Sequence, residues 1–456
     1  MPGKRLIAPL PYILRDFPAW LCYNQGQKTR AATVPAGHGR VAGKAARMNT
    51  MQRIKPPMGW NTWNTFGPNI DEKLIMESAD AMVESGLRDA GYEYIVIDDM
   101  WSLKERDKDG FLVPDPAKFP HGMKYIADYV HARGLKFGMY SCGGYLTCGG
   151  YPGSYGHEWQ DAQTFAQWGV DYLKYDYCFH PANVSAAAIY RRMGVALANC
   201  GRKIHFNACS WGSDHTRQWI RETGAHSWRS TGDISDCWAS IKSIAQSQIV
   251  AQEYNAPGCF NDMDMLVVGM NGEGTVGITG CNDDEYRLHF ALWAFLQSPL
   301  MIGCDIRHMS DATKKILMNR DIIAINQDDA CTQAYIAPNL LQAFGAEERG
   351  HEVNLNRAPD EPFYTYSDYS LSRCTLVRML ANGDFAVMQV NFRDHETFDA
   401  PLVVTADMLG IPEDKALTMQ VTDLWTGENV PLVNGTIPNR GIPAHGARIY
   451  RVHLQA

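Results

Sequence analysis

The chain predicts a (β/α)8 TIM barrel followed by a C-terminal antiparallel β-sandwich, and three observations carry that prediction. From Pro57 to Asp328, short apolar runs rich in Ile, Val, Tyr and Phe alternate with amphipathic stretches of about 10 to 20 residues. Eight runs of each kind occur, the number a closed barrel of βα units requires. After Asp328 the helical spacing stops, and from about Pro362 alternating strands separated by Asn-Gly, Gly and Pro turns take over.

In chain order the barrel strands are expected at Met58–Trp60, Tyr94–Ile97, Lys136–Tyr140, Tyr172–Tyr175, Ile204–Ala208, Ser227–Arg229, Cys259–Phe260 and Leu300–Ile302. The helices are expected at about Asp71–Ala90, Gly122–Arg133, Glu158–Gln167, Ala186–Asn199, Asp214–Thr223, Ser235–Glu253, Asp284–Leu296 and Asp311–Met318. The stretch 331–361 lacks clear periodicity and reads as a connection with extra strand structure. The sandwich strands follow at Thr375–Met379, Asp384–Asn391, Leu402–Thr405, Met419–Asp423 and Ala447–Val452. The domain reading is therefore 1–50 extension, 51–330 barrel and 331–456 sandwich.

The chain has 456 residues, 45 % of them hydrophobic, ample for two cored domains. A net charge of -8 argues against a nucleic-acid partner, and no apolar run has the length of a membrane span. Twelve cysteines lie scattered without CxxC pairs, so neither a zinc site nor a small disulfide scaffold is indicated. The first 47 residues carry eight Lys and Arg against the single acid Asp16. They read as a mostly disordered extension, with a transit peptide or a start at Met48 or Met51 as alternatives. Pro9 and Pro11 interrupt the only apolar stretch a signal peptide would need, and a cytoplasmic, microbial setting is expected, with secretion as the alternative.

Function is legible in what leaves each strand. Trp63 follows the first; Asp98, Asp99 and Trp101 the second; Tyr140 and Cys142 the third; Lys174, Asp176 and Cys178 the fourth. Cys209, Ser210 and Trp211 follow the fifth, Arg229 and Asp233 the sixth, and Asp262, Asp264 and Met265 the seventh. In a parallel barrel these exits share one mouth, so six aspartates and several aromatics would meet in one pocket. Any one Asp could be a helix N-cap, Asp233 above all, but the set is harder to explain that way. No loop has an EF-hand or HExxH arrangement, so no metal and no cofactor is expected. Paired carboxylates with interleaved aromatic rings suit a sugar, which offers hydroxyls to the acids and a C–H face to a ring.

The stretches MGWNTWNTF from Met58, YIVIDDMW from Tyr94, KFGMYS from Lys136, YLKYDYC from Tyr172, WRSTGDI from Trp228, NDMDML from Asn261 and SPLMIGCDI from Ser298 resemble glycoside hydrolase family 27. This is the α-galactosidase (melibiase) and α-N-acetylgalactosaminidase family, and the likeness runs from about Pro57 to Asp328. It implies a retaining exo-glycosidase acting on terminal α-D-galactosides, with Asp176 as nucleophile and Asp233 as general acid/base. Retention needs two carboxyl groups about 5 to 5.5 Å apart, one ionised and one protonated. Lys174 would hold the nucleophile's pKa down, and a drier pocket or the Asp176 charge would raise that of Asp233.

The resemblance also assigns a binding shell. Asp98 and Asp99 would take the 6- and 4-hydroxyls, Lys174 the 3- and 4-oxygens, and Arg229 the 2-position. Trp63 would cover the apolar face, Tyr140 would line the pocket near the nucleophile, and Asp264 and Met265 would close the far wall. Asp262 has a structural role as its even alternative. Cys148 and Cys178 match a disulfide beside the site, Trp211 belongs to the same rim, and Ala225 stands where the family places a partner for Cys209.

Ser210 and Ser213 are expected to face the sugar's 2-substituent. Their small size resembles the N-acetylgalactosaminidase arrangement, so that activity and β-L-arabinopyranosidase activity stay open beside α-galactosidase. A carbohydrate-binding protein with an inactive pocket and a metal-dependent hydrolase are the readings from other classes. The expected partner is a small molecule or oligosaccharide ending in α-galactose; the homo-oligomeric state is left open.

Overall fold

The structure, a computed structural model, describes residues 54–249, 251–337, 372–396, 404–406, 409–412, 418–433, 435–438 and 441–454. The basic extension before residue 54, and most of the expected connection up to residue 361, lie outside these.

Eight parallel strands form the barrel: β1 (Met58–Asn61), β2 (Tyr94–Val96), β3 (Lys136–Cys142), β4 (Tyr172–Asp176), β5 (His205–Cys209), β6 (Ser227–Arg229), β7 (Phe260–Asp262) and β8 (Leu300–Ile302). Their order is β8-β1-β2-β3-β4-β5-β6-β7. The two edges meet just beyond β7, where Leu266 donates to the Met301 carbonyl and accepts from Gly303 N. Gly59 permits the close approach of β1 to β2, since a Cβ there would lie 2.5 Å from the Tyr94 carbonyl oxygen. Inside the barrel Tyr172 stacks on His205 at 5.1 Å, and Tyr94 packs on Tyr172 at 5.4 Å. The interior is thus a filled core with the site above it.

Outside lie α1 (Glu72–Glu84), α2 (Gly122–His131), α3 (Glu158–Trp168), α4 (Ala186–Ala198), α5 (Trp238–Ile249), α6 (Asp283–Phe295), α7 (Asp311–Leu317) and α8 (Arg320–Asn326). Their apolar faces bury residues such as Ile75, Ile126, Phe165, Ile189, Ile241 and Phe290 against the strands.

Four expectations need correction. The first helix stops at Glu84, and Gly86, at φ 87°, starts a separate turn, Leu87–Ala90. The stretch expected as a helix from Asp214 is a 3-10 turn, one α turn and another 3-10 turn, because Asp214 and His215 take left-handed backbone at φ 52° and 57°. Ser235 does not open a helix: Asp236–Cys237 is extended, pairs with Gly277–Gly280, and delays α5 to Trp238. α8 was not foreseen, although Asn319 caps it by accepting from Asp321 N and Ile322 N.

The C-terminal part is an antiparallel sheet of β9 (Tyr335–Ile336), β10 (Arg373–Met379), β11 (Phe385–Asn391), β12 (Met419–Asp423) and β13 (Gly446–Leu454), in the order β9-β10-β11-β13-β12. A second pairing, Val404–Thr405 with Thr436–Ile437, packs Val404 and Ile437 against Val377, Val387 and Val452 of its face, the two layers of a sandwich. His445, just before β13, reaches the barrel, with Nδ1 2.6 Å from Glu285 of α6 and the ring stacked 4.3 Å from Trp238.

Candidate active site

The mouth of the barrel holds a cavity lined by Trp63, Asn64, Asp98, Asp99, Tyr140, Cys148, Lys174, Asp176, Arg229, Asp233, Ile234, Asp264, Met265 and Val276. Eleven of these were named from the sequence. Asn64, Ile234 and Val276 were not; Asn64 sits inside the WNTWNTF motif, whereas Val276 is one apolar residue in a glycine-rich loop and carries no signal of its own.

One wall comes from β2 to β4. Asp98 is nearly fully buried and its Oδ2 accepts from Lys174 Nζ at 2.9 Å and from Asn61 Nδ2 at 2.8 Å. Asp99 accepts from Gly149 N at 2.8 Å, which ties in the loop that carries Cys148. Burial alone would lower Lys174, but the Asp98 carboxylate outweighs it and keeps the ammonium charged. Tyr140 donates to Asp176 Oδ2 at 2.9 Å, and Tyr177 N donates to Oδ1 at 2.9 Å. Cys148 and Cys178 are bridged, with Cα atoms 5.2 Å apart, and Cys148 Sγ lies 3.4 Å from Asp176 Oδ2. Among the described residues the one cluster compact enough for a metal is Cys148, Asp176 and Cys178, and its two sulfurs are bonded to each other.

The opposite wall comes from β6 and the segment after β7. Arg229, 3 % exposed, donates to Asp233 Oδ1 at 2.9 Å and pairs with Asp264 Oδ2 at 3.0 Å. Asp264 also accepts Ile234 N at 2.7 Å, so it holds the chain beside Asp233 as well as the guanidinium. Its own backbone is left-handed at φ 78°, which costs a non-glycine residue on the order of 1–3 kcal/mol unless its surroundings enforce it. They do: Asp264 N donates to Asp262 Oδ1 at 2.9 Å and its carbonyl accepts the Trp293 indole at 2.7 Å. Asp262 is further held by Asn207 at 2.7 Å, and it does not line the cavity mouth.

The two shifts run against expectation: burial outweighs Lys174 at Asp176, and Arg229 with Lys174 outweighs burial at Asp233. Burial pushes the Asp176 carboxyl up to about 6, against the opposing pull of Lys174. Asp264 is likewise raised by burial to about 6. The surrounding protein disfavours charge on Asp233 too, but Arg229, then Lys174, hold it below the ordinary carboxylate value. The reason is geometric: the Asp233 side chain is 69 % exposed and faces a guanidinium, while Lys174 spends its hydrogen bond on Asp98 instead of Asp176.

The loop after β5 also departs from expectation. Ser210 is fully buried, and its hydroxyl meets that of Thr216 at 2.6 Å, so it does not reach the cavity. Ser213 opens the 3-10 turn and Trp211, at φ 56°, packs edge-on to Tyr177; neither lines the cavity, nor does Cys178. Cys209 is a buried free thiol, 3.8 Å from Arg229 Nη1.

Comparison with known proteins places this geometry. The α-galactosidase A family model matches residues 55–328, and the α-galactosidase C-terminal β-sandwich domain matches 375–452. The chain is 41 % identical to α-galactosidase A of Cellvibrio japonicus, over 87 % of this chain and 91 % of that one. It is 50 % identical to the α-galactosidase of Cyamopsis tetragonoloba, over 71 % of this chain and 78 % of that one. Among solved structures it resembles α-galactosidase I of Mortierella vinacea with a TM-score of 0.74 at 33 % identity, covering 90 % of this chain and 99 % of that one. A barrel mouth of paired acids with a sandwich behind it, matched along nearly the whole chain, leaves one assignment: the protein belongs to the α-galactosidase A family, glycoside hydrolase family 27.

Proposed function

We propose that the chain hydrolyses terminal α-galactosides with retention of anomeric configuration, Asp176 attacking the anomeric carbon and Asp233 serving as proton donor and then base. The observation that carries this reading is that the two carboxylates line one cavity in unlike settings, one buried under Tyr140 and the other exposed beside Arg229. A carboxylate fixed by two donors, the Tyr140 hydroxyl and Tyr177 N, is aimed and cannot rotate away from its target. A carboxyl open to solvent can reach a leaving-group oxygen at the mouth and then deliver water along the same path.

The proton follows from the charges. Arg229 and Lys174 favour the charged form of Asp233, so the acid form is favoured where their pull on it is weakened. A ring that expels water from the mouth and draws Arg229 toward its 2-oxygen works in that direction. Asp98, Asp99 and Lys174 line the same cavity, the two acids deeply buried, and suit the 4- and 6-hydroxyls of a galactose; Trp63 offers its ring as an apolar wall.

At the 2-position a second reading has one observation in its favour. No residue of the loop CSWGS lines the cavity, so none of its side chains stands against an acetamide there. Rates on nitrophenyl α-galactoside, α-N-acetylgalactosaminide and β-L-arabinopyranoside separate the three activities. Dominant turnover of the first is expected, and dominant turnover of the second would replace the substrate while keeping the mechanism.

A further inference from the structure

We propose that α6 is a positioning spine for the proton-donor wall, with Tyr286, His289 and Trp293 as its three contacts. The proposal rests on the reading of Asp233 as proton donor. These residues are three and four positions apart, so they stand in one row on a single face of the helix. Each ends on a different part of the wall.

Tyr286 donates to the Asp236 carboxylate, 3.0 Å from either oxygen, and its oxygen accepts from Asn271 N at 2.8 Å. Asp236 stands three residues after Asp233, is fully buried, and accepts from Gly272 N at 2.7 Å while its own amide donates to Val276 O. One phenol thereby joins the chain leaving Asp233 to the loop that brings Val276 to the cavity. His289 accepts Val267 N through Nε2 at 3.0 Å, and its ring meets that of Trp293 edge to face at 4.1 Å. Trp293 donates to the Asp264 carbonyl at 2.7 Å, at the residue whose left-handed backbone turns its carboxylate onto both Arg229 and Ile234 N. The helix is itself anchored at its start, where Asn282 and Glu285 cap each other and Glu285 also meets His445 of the C-terminal sheet.

None of the three touches the cavity, so they act through Asp233, Arg229 and Asp264. If Asp264 is loosened, more of the charge of Arg229, which it shares with Asp233 and Asp262, falls on Asp233, which then holds its proton less well. Around Asp233 the other titratable groups are Asp176, Lys174 and the buried Cys209 thiol, and none of them is a contact of Tyr286, His289 or Trp293.

The test uses the full chain carrying Tyr286→Phe, which removes one oxygen, or Trp293→Phe. Tyr286→Phe is expected to lower kcat on melibiose roughly 10- to 100-fold with KM within about twofold. Trp293→Phe is expected to move the alkaline limb of the kcat profile to lower pH. Adding Tyr286→Phe to Asp233→Ala is expected to cause no further loss on nitrophenyl α-galactoside, because the phenol works through the missing acid. A merely structural role would give losses that multiply and a pH profile that does not move; either result, or wild-type kcat in Tyr286→Phe, overturns the proposal. Full activity of Asp233→Ala on melibiose would instead overturn the proton-donor reading beneath it.

Discussion

The two walls of the cavity are built on different principles. The wall from β2 to β4 grows out of regular strands: Asp98 sits two residues past the end of β2, while Lys174 and Asp176 lie within β4, two residues apart, so their side chains fall on one side. Its charges cancel within hydrogen-bond distance, Asp98 with Lys174, and Asp176, the proposed nucleophile, is buried with the Tyr140 hydroxyl and Tyr177 N as its donors. The wall from β6 and β7 rests on three-residue strands, a left-handed aspartate and a two-residue ladder, and α6 holds it from behind. The first wall is the proposed receptor for the sugar, its carboxylates already held by hydrogen bonds. The second is an assembled device whose protonation depends on how it is held.

That difference ranks what substitutions should do. The largest effect is expected from Asp176→Ala, a loss in kcat of at least about 10⁴-fold, measured with nitrophenyl α-galactoside, while galactose still binds. Asp233→Ala should lose activity in proportion to how poor the leaving group is, roughly 10²–10⁴-fold on melibiose and much less on the nitrophenyl substrate. Equal losses on the two substrates would erase the distinction between the walls.

Lys174→Met should unite binding and stability. It strands Asp98, 2 % exposed, without its cation, at a cost of about 3–5 kcal/mol by denaturant melt, and raises KM strongly. The pair across the cavity behaves otherwise: removing Asp233 should leave the melting midpoint nearly unchanged, since 69 % of its side chain is in water and the buried Arg229 keeps Asp264 as its partner.

Titration gives smaller effects with defined signs. Because Asp176 must be ionised to attack, kcat/KM should fall below about pH 6. Its folded pKa lies above the unfolded value, so the folded state binds the proton more tightly, and this group's contribution to stability declines as pH rises from about 4 through 6. Asp176→Asn, neutral at all pH, should therefore melt higher than the parent at pH 7.5, and that advantage should vanish by about pH 4. An advantage at every pH would show that charge is not its cause.

The same contrast explains what could be read from the chain alone. The first wall is legible because its apolar runs and the charges at their ends are adjacent in sequence, as in YIVIDDMW and YLKYDYC. In the second wall the residue types were legible but their connections were not. Asp264 reaches Arg229 across 35 positions, Tyr286 reaches Asp236 across 50, and nothing local encodes such pairings. Asp236–Cys237 was read as helix because its ladder partner lies some 40 residues on. The resemblance places Ser210 facing the sugar, and nothing local in the sequence shows that Thr216 claims its hydroxyl.

The central claim, that attack comes from the first wall and proton transfer from the second, is tested most directly by azide rescue with nitrophenyl α-galactoside, reading the anomeric configuration of the product by NMR. Asp176→Gly is expected to yield β-galactosyl azide, since azide takes the place of the missing nucleophile. Asp233→Gly is expected to yield α-galactosyl azide, since azide then attacks an intermediate already formed on Asp176. The same anomer from both variants, or the two anomers exchanged, would contradict the account.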